Sequence, residues 1–226
     1  MKELIEFYHG LPTAESLLTK DTDFHWSRVF PHGLGESFKI ATPPHAATHG
    51  TPWIKEFTRD FGPAVVMPLA LLDKGLGFGA RAIKQKHFST FLVQAPGFYT
   101  PASCFAKPFV YGTPIMVVEG VLDAEVASLA YPWVLACLTS KVSEAQAFLL
   151  SMLTSVVVLS FDNDEAGDKG TKFSIPHLQK WGLRYTDLRP SKRVKDFGEL
   201  LSLPENQMKA EIDCFAVLLR TKGVVR

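Results

Sequence analysis

Ser155-Val-Val-Val-Leu-Ser-Phe-Asp162-Asn-Asp164-Glu-Ala-Gly167 is an apolar, β-branched run that stops abruptly at two aspartates spaced i, i+2. Val156 to Leu159 is short and apolar without alternation, the pattern of a parallel strand buried on both faces. The small residues after the aspartates open a helix. Asp162 and Asp164 then fall just beyond the strand's carboxyl end, where open α/β sheets bind ligands. Side chains two apart on extended backbone point the same way, so the two carboxylates converge. Like charges brought together in this way call for a compensating cation, and a divalent ion is the usual one.

Working outward, 226 residues suffice for one larger domain or two small ones with a substantial core. A hydrophobic fraction of 46% with 21% charged residues is ordinary for a soluble globular protein. The formal net charge of +1 gives no whole-molecule attraction to nucleic acid, so any basic surface is local. Cys104, Cys137 and Cys214 are far apart, which argues against a disulfide framework and against a cysteine-rich zinc module. The acidic start Met1-Lys-Glu-Leu-Ile-Glu6 does not read as a signal peptide, and Phe148 to Phe161 is too interrupted to span a bilayer. These features predict a cytoplasmic, reduced, soluble protein.

Downstream of residue 111 strand and helix patterns alternate. Ile115–Val118, Trp133–Leu138, Val156–Leu159 and Leu183–Leu188 read as strands. Helices are expected over Asp123–Leu129, from a Ser143-x-x-Gln146 capping box to Leu153, and over Lys169–Trp181, with a kink or break at Pro176. This order implies a Rossmann-like parallel sheet. Met208, Ile212, Phe215 and Leu219 recur at helical spacing in a closing helical segment, residues 203–226. Upstream, Ala64–Leu69 and Gly77–Ile83 read as antiparallel partners around a turn at Asp73-Lys-Gly75, followed by an apolar run at Phe91–Val93. Short helices are expected at Met1–Tyr8 and Thr13–Leu18. Pro31-His-Gly, Thr42-Pro-Pro-His and Gly50-Thr-Pro then punctuate a loop-rich region. His25, His32, His45 and His49 there lack paired ligand spacing and read as solvated loop histidines. The expected organisation is an α+β subdomain with an antiparallel sheet over residues 1–110, a parallel α/β domain over 111–202, and the closing helix.

A second acidic strand end accompanies the first. Glu119 follows the Ile115–Val118 strand directly, and Gly120-Val-Leu-Asp123-Ala124 follows Glu119. If the two strands are neighbours, Glu119, Asp162 and Asp164 face one crevice. Asp123 reads equally as an N-terminal helix cap. Glu119-Gly-x-x-Asp123-Ala with Asp162-x-Asp164-x-Ala166-Gly167 resembles the two signature motifs of the TOPRIM domain, shared by topoisomerases, bacterial DnaG-type primases and several nucleases. The flanks narrow the resemblance. Val66-Met-Pro68, Asp73-Lys-Gly75-Leu-Gly77-Phe-Gly79-Ala-Arg81 and Phe105-Ala-Lys107 with Tyr111-Gly112 are similar to the segments that precede this domain in DnaG-type primases. Lys195-Asp196-Phe-Gly-Glu199 resembles their Asp-Pro-Asp-containing motif, with Gly198 where the second acid would stand.

That resemblance implies a DNA-directed RNA polymerase, a nucleotidyltransferase making RNA primers from NTPs on a single-stranded DNA template. It implies Mg²⁺ or Mn²⁺, two ions and no zinc, held by Glu119, Asp162 and Asp164 with Asp123 and Asp196 in support. Hard carboxylate donors without His or Cys suit those ions. Arg81, Lys74, Lys84, Lys86 and Lys107, with the Lys192, Arg193 and Lys195 cluster, become the candidate nucleotide- and DNA-binding residues. A replicative helicase and a zinc ribbon on another chain are the further partners expected for DNA replication, and the small size suits a phage-like setting. The alternatives are a TOPRIM nuclease using the same acids to activate water, or a catalytically weak nucleic-acid-binding module. A topoisomerase would need a nucleophilic tyrosine on a further domain.

Overall fold

Proline is tolerated in the first turn of a helix, where its missing N–H would have no partner anyway, and this decides a segment whose sequence reads as loop. In the computed structural model, which describes residues 2–14, 38–71, 74–84, 87–92, 98–101 and 109–224, Pro43 and Pro52 each open a helix. The chain divides into two compact units, one of residues 1–70 and 74–97, the other of residues 71–73 and 98–226.

The first unit contains α1 (Lys2–Gly10), β1 (Lys39–Ala41), α2 (Pro43–His49), α3 (Pro52–Phe61), β2 (Ala64–Leu71), β3 (Lys74–Ala82) and β4 (Phe88–Leu92). The sheet order is β1-β2-β3-β4. β1 runs antiparallel to β2, with Lys39 opposite Val66, and β3 antiparallel to β4, with Arg81 opposite Phe88. Lys74 and Gly75 therefore belong to a strand rather than to the expected turn, and Asp73 lies outside the described residues. Glycine at 79 answers to packing, because a Cβ there would sit 2.9 Å from the Phe88 ring. The core gathers Phe7, Tyr8, Ile54, Phe57, Val66 and Phe78. His45 and His49 lie one turn apart on α2, not in a loop, and the His45 ring packs against Phe7 at 5.5 Å. His25, His32 and the helix expected at Thr13–Leu18, beyond Ala14, fall outside the described residues.

The second unit is a four-stranded sheet, β5 (Ile115–Val118), β6 (Val134–Ala136), β7 (Val156–Leu159) and β8 (Arg184–Asp187), in the order β6-β5-β7-β8 with every pair parallel. Its helices are α4 (Val121–Ala127), α5 (Glu144–Ser151), α6 (Glu165–Lys180) and α7 (Glu205–Thr221), with a 3₁₀ turn at Gly198–Ser202. β5 is buried along its whole length and β7 nearly so, as unalternating apolar runs require. Ile115, Val117, Leu135, Val157, Leu159, Leu150 and Leu178 form the core on one face. Each such side chain withdrawn from water contributes about 1.5–3 kcal/mol.

Local chemistry sets the helix ends. Ser143 accepts from the Gln146 N–H while its own N–H donates to Gln146 Oε1 at 3.0 Å, closing the predicted capping box. Gly182, at φ 72°, ends the turn after α6 in the left-handed region. Against expectation, α6 runs through Pro176 unbroken for 16 residues. Pro176 and Lys172, whose carbonyl loses its helical partner, are both exposed, so the unpaired carbonyl is not sealed in the core. α7 buries Met208, Ile212, Phe215 and Leu219, with Phe215 edge-on to Phe197 at 5.0 Å. No helix among the described residues is long and apolar enough to cross a membrane.

Candidate active site at the carboxyl ends of β5 and β7

The strand order fixes where a site belongs. From β5 the chain moves to β6 on one side, then returns to β7 on the other side of β5. The topological switch therefore lies between β5 and β7, and the crevice opens outside their carboxyl ends. The residues immediately following those ends are Glu119 and, past Ser160 and Phe161, Asp162. The Asp162 N–H donates to Glu119 Oε1 at 3.3 Å, so the two acidic strand ends touch.

Asp164 caps α6, its Oδ1 accepting from the Gly167 N–H at 2.9 Å. That turn is so tight that a Cβ at residue 167 would lie 2.2 Å from the Asp162 carbonyl oxygen, which is why glycine stands there. The other oxygen of Asp164 is 3.2 Å from Lys195 Nζ, and Asp162 Oδ2 is 3.0 Å from the same ammonium. Lys195 thus bridges the aspartate pair from the loop after β8. Its main chain is anchored separately: its carbonyl accepts from the Asn163 N–H at 2.6 Å, and its N–H donates to Glu199.

Asp123, at the third position of α4, reaches back to the Gly120 N–H at 3.1 Å and accepts from the Gly198 N–H at 2.8 Å. Position 198 therefore supplies a backbone donor to Asp123 rather than a further carboxylate. Asp196 stands beside it, its Oδ1 accepting from the Glu199 N–H at 2.7 Å.

Five acids in so small a space hold their protons tightly or lean on cations. Burial, and then the negative charge of Asp162, push the Glu119 carboxyl up to about 7. Burial raises Asp123 and Asp196 as well, each feeling other carboxylates in the cluster. Asp164 goes the other way: the Gly167 N–H, and then the Lys195 ammonium, hold it below the usual carboxylate range. Lys195, bonded to Asp162 and Asp164, is held protonated well above its ordinary value. Among the described residues no three His, Cys, Asp or Glu side chains stand arranged to hold a metal ion as they are. Between Asp162 and Asp164, the cation present is the ammonium.

Two functional positions escape sequence reasoning. Arg189, whose side chain is 14% exposed, donates to the Asp162 carbonyl at 2.9 Å, to Asp168 at 2.8 Å and twice to Asp187 at 3.0 Å. It clamps the backbone that carries Asp162. Asn163 donates from Nδ2 to the Pro190, Ser191 and Val194 carbonyls, so the residue between the two aspartates pins the loop bearing Lys195. A single arginine after a strand and an asparagine between two acids carry no spacing signal.

The remaining candidates are placed as follows. Lys192 and Arg193 are exposed on the same loop as Lys195, and the Arg193 guanidinium is 3.9 Å from Glu211. Arg81 is half-buried on β3, Lys74 opens that strand, and Lys84 is exposed just after it. Lys86 and Lys107 fall outside the described residues. Cys137 is buried at the end of β6 and its thiol is pushed up to about 12 by burial, so it serves as packing.

Residues 116–201 match the family model described as Toprim-like. No curated protein sequence matches the chain. Among solved structures, the chain is similar to the zinc-binding and RNA polymerase domains of the Aquifex aeolicus primase, at 16% identity and a TM-score of 0.63 over 94% of this chain and 60% of that one. A DnaG catalytic core aligns at 15% identity and 0.62, covering 97% of this chain and 82% of that one. A DnaG primase catalytic domain bound to single-stranded DNA aligns at 15% identity and 0.60, covering 94% and 77%. At these identities the likeness is one of fold. The chain spans less than two thirds of that Aquifex chain.

Proposed function

We propose that this chain, whose residues 116–201 form a TOPRIM domain within a fold shared with DnaG-type primase catalytic cores, is a nucleotidyltransferase that joins ribonucleotides on a single-stranded DNA template. The observation that carries the reading is the acidic cluster at the switch point: two acidic strand ends in hydrogen-bond contact, with Asp164 capping the helix beside them.

The donors fit a divalent ion. They are carboxylate oxygens without nitrogen or sulfur, the set that suits Mg²⁺ or Mn²⁺, and burial, then the neighbouring charge of Asp162, disfavours the bare Glu119 carboxylate. Glu119, Asp162 and Asp164 would hold the ions, with Asp123 and Asp196 behind them. When bound, such ions neutralise the triphosphate and activate the attacking 3′-hydroxyl.

The chain's own residues supply positioning. Arg189 holds the Asp162 carbonyl, and Asn163, between the two aspartates, pins the loop that bears Lys195, so the carboxylates are oriented before any ligand arrives. Asp123 ties the start of α4 to Gly198, which keeps Asp196 beside the β5 end. Lys192, Arg193 and Lys195 offer positive charge to the nucleotide's phosphates. Arg81, Lys74, Lys84 and Lys86 of the first unit, together with Lys107, are assigned to template and triphosphate phosphates, where cationic side chains bind without regard to sequence. A solved DnaG catalytic domain that shares the fold was determined with single-stranded DNA bound, which supports that choice of template.

The test is a primer-synthesis assay with labelled NTPs on mixed single-stranded templates, in Mg²⁺ and in Mn²⁺. Template-dependent oligoribonucleotides are expected. DNA cleavage without NTPs, and no such product, would replace this reading with a nuclease.

A further inference from the structure

Two cations serve the Asp162–Asp164 turn, and their placements differ in kind. Arg189 leaves only 14% of its side chain exposed, is bidentate to Asp187, and is bonded to the main chain of Asp162. It is part of the frame. Lys195 leaves 53% of its side chain exposed and touches one oxygen of Asp162 and one of Asp164 through a single rotatable ammonium. Its backbone is held by Asn163 and by Glu199, so the side chain can leave without the loop moving.

We propose that Lys195 is an internal counter-cation, whose ammonium occupies the place between Asp162 and Asp164 that a divalent ion takes on binding. The inference rests on the metal-dependent reading above and adds how the site is kept before the ion arrives. Without any cation, Glu119, Asp162 and Asp164 would face one another as three negative charges, with Asp162 only 16% exposed. One ammonium relieves part of that repulsion. A doubly charged ion relieves more of it, and a compact, hydrated lysine head on a flexible stem yields more readily than a forked guanidinium. The ammonium therefore competes with the ion: it orders the aspartates and sets a threshold for metal affinity. Swinging out, it joins the charge that Lys192 and Arg193 offer to phosphate.

Calorimetric titration of the full chain with Mn²⁺ at pH 8 tests this. Lys195→Met and Lys195→Ala are expected to bind Mn²⁺ about tenfold more tightly than the wild type, the factor set by two partly exposed ion pairs. Lys195→Arg, which keeps the charge, is expected to return affinity toward the wild type. Lys169→Met, which removes a charge paired with Glu165 on the same helix that Asp164 caps, is expected to change it by less than about twofold. A purely structural role predicts weaker binding on substitution, so equal or weaker Mn²⁺ affinity in both Lys195 variants overturns the proposal and leaves the metal-dependent reading standing. If neither the wild type nor the variants bind Mn²⁺, both readings fall together.

Discussion

Replacing Glu119 by glutamine is expected to make the metal-free protein more stable while removing its response to divalent ions. Burial and the charge of Asp162 lift the Glu119 carboxyl from 4.5 to about 7. A carboxyl whose folded-state value lies above its unfolded value binds more protons folded than unfolded, so its contribution favours folding at low pH. That contribution is complete below about 4.5 and is lost as pH rises through about 7. For a fully desolvated group the displacement is equivalent to roughly 3 kcal/mol. Solvent reaches part of the Glu119 side chain, and screening cuts the penalty to about 1–2 kcal/mol. Glutamine keeps the acceptor for the Asp162 N–H, 3.3 Å away, and carries no charge at any pH. At pH 8 without metal, Glu119→Gln should therefore melt about 2–8 °C above the wild type, given the usual 2–4 °C per kcal/mol at this chain length. At pH 4.5 the two should coincide. Added Mn²⁺ should raise the wild-type Tm and leave the variant's unchanged. Thermal unfolding followed by circular dichroism from pH 4.5 to 8, with and without Mn²⁺, reads all of this. Parallel pH profiles for the two proteins would refute the electrostatic account of the site.

Further outcomes follow from other named contacts. Asp162→Asn is expected to abolish both Mn²⁺ binding in calorimetry and primer synthesis, while far-UV circular dichroism stays that of the wild type. Retention of normal synthesis would remove Asp162 from the mechanism. Arg189→Ala loses the clamp on the Asp162 carbonyl together with its carboxylate contacts, and should lower stability by about 2–3 kcal/mol in urea unfolding. Arg189→Lys is expected to recover little of that, because an ammonium cannot make the forked contact. Gly170→Ala places a Cβ 1.8 Å from the Ser140 carbonyl oxygen. The overlap is with backbone, so a net loss of about 1–2 kcal/mol is expected in place of the gain alanine usually gives a helix. Arg81→Ala should weaken single-stranded DNA binding and reduce the slope of log affinity against log salt by about one contact, measurable by fluorescence anisotropy.

Much of this protein is legible along the chain because the determining chemistry is local. The unalternating run Val156–Leu159 followed by Asp162 and Asp164 announces a buried parallel strand with acids at its end, and Glu119 repeats the arrangement after β5. Ser143 with Gln146 announces a helix start, and Met208, Ile212, Phe215 and Leu219 announce a buried helix face. These signals depend on backbone hydrogen bonding and on the periods of strand and helix, which act over a few residues. Local signals misled at three prolines: those at 43 and 52 begin helices, and Pro176 sits inside one on its exposed face.

Tertiary structure alone decided which strands lie side by side, and that adjacency turns separate acids into a cluster. The order β6-β5-β7-β8 puts Glu119 against Asp162. It also recruits Arg189 and Lys195 from after β8 to opposite duties, one locked on the backbone and one bridging the carboxylates. Nothing in the residues around 189 or 195 distinguishes those duties. Burial, partner geometry and the strength of an electrostatic contact are set by distances across the fold, which the sequence of neighbours along the chain does not contain.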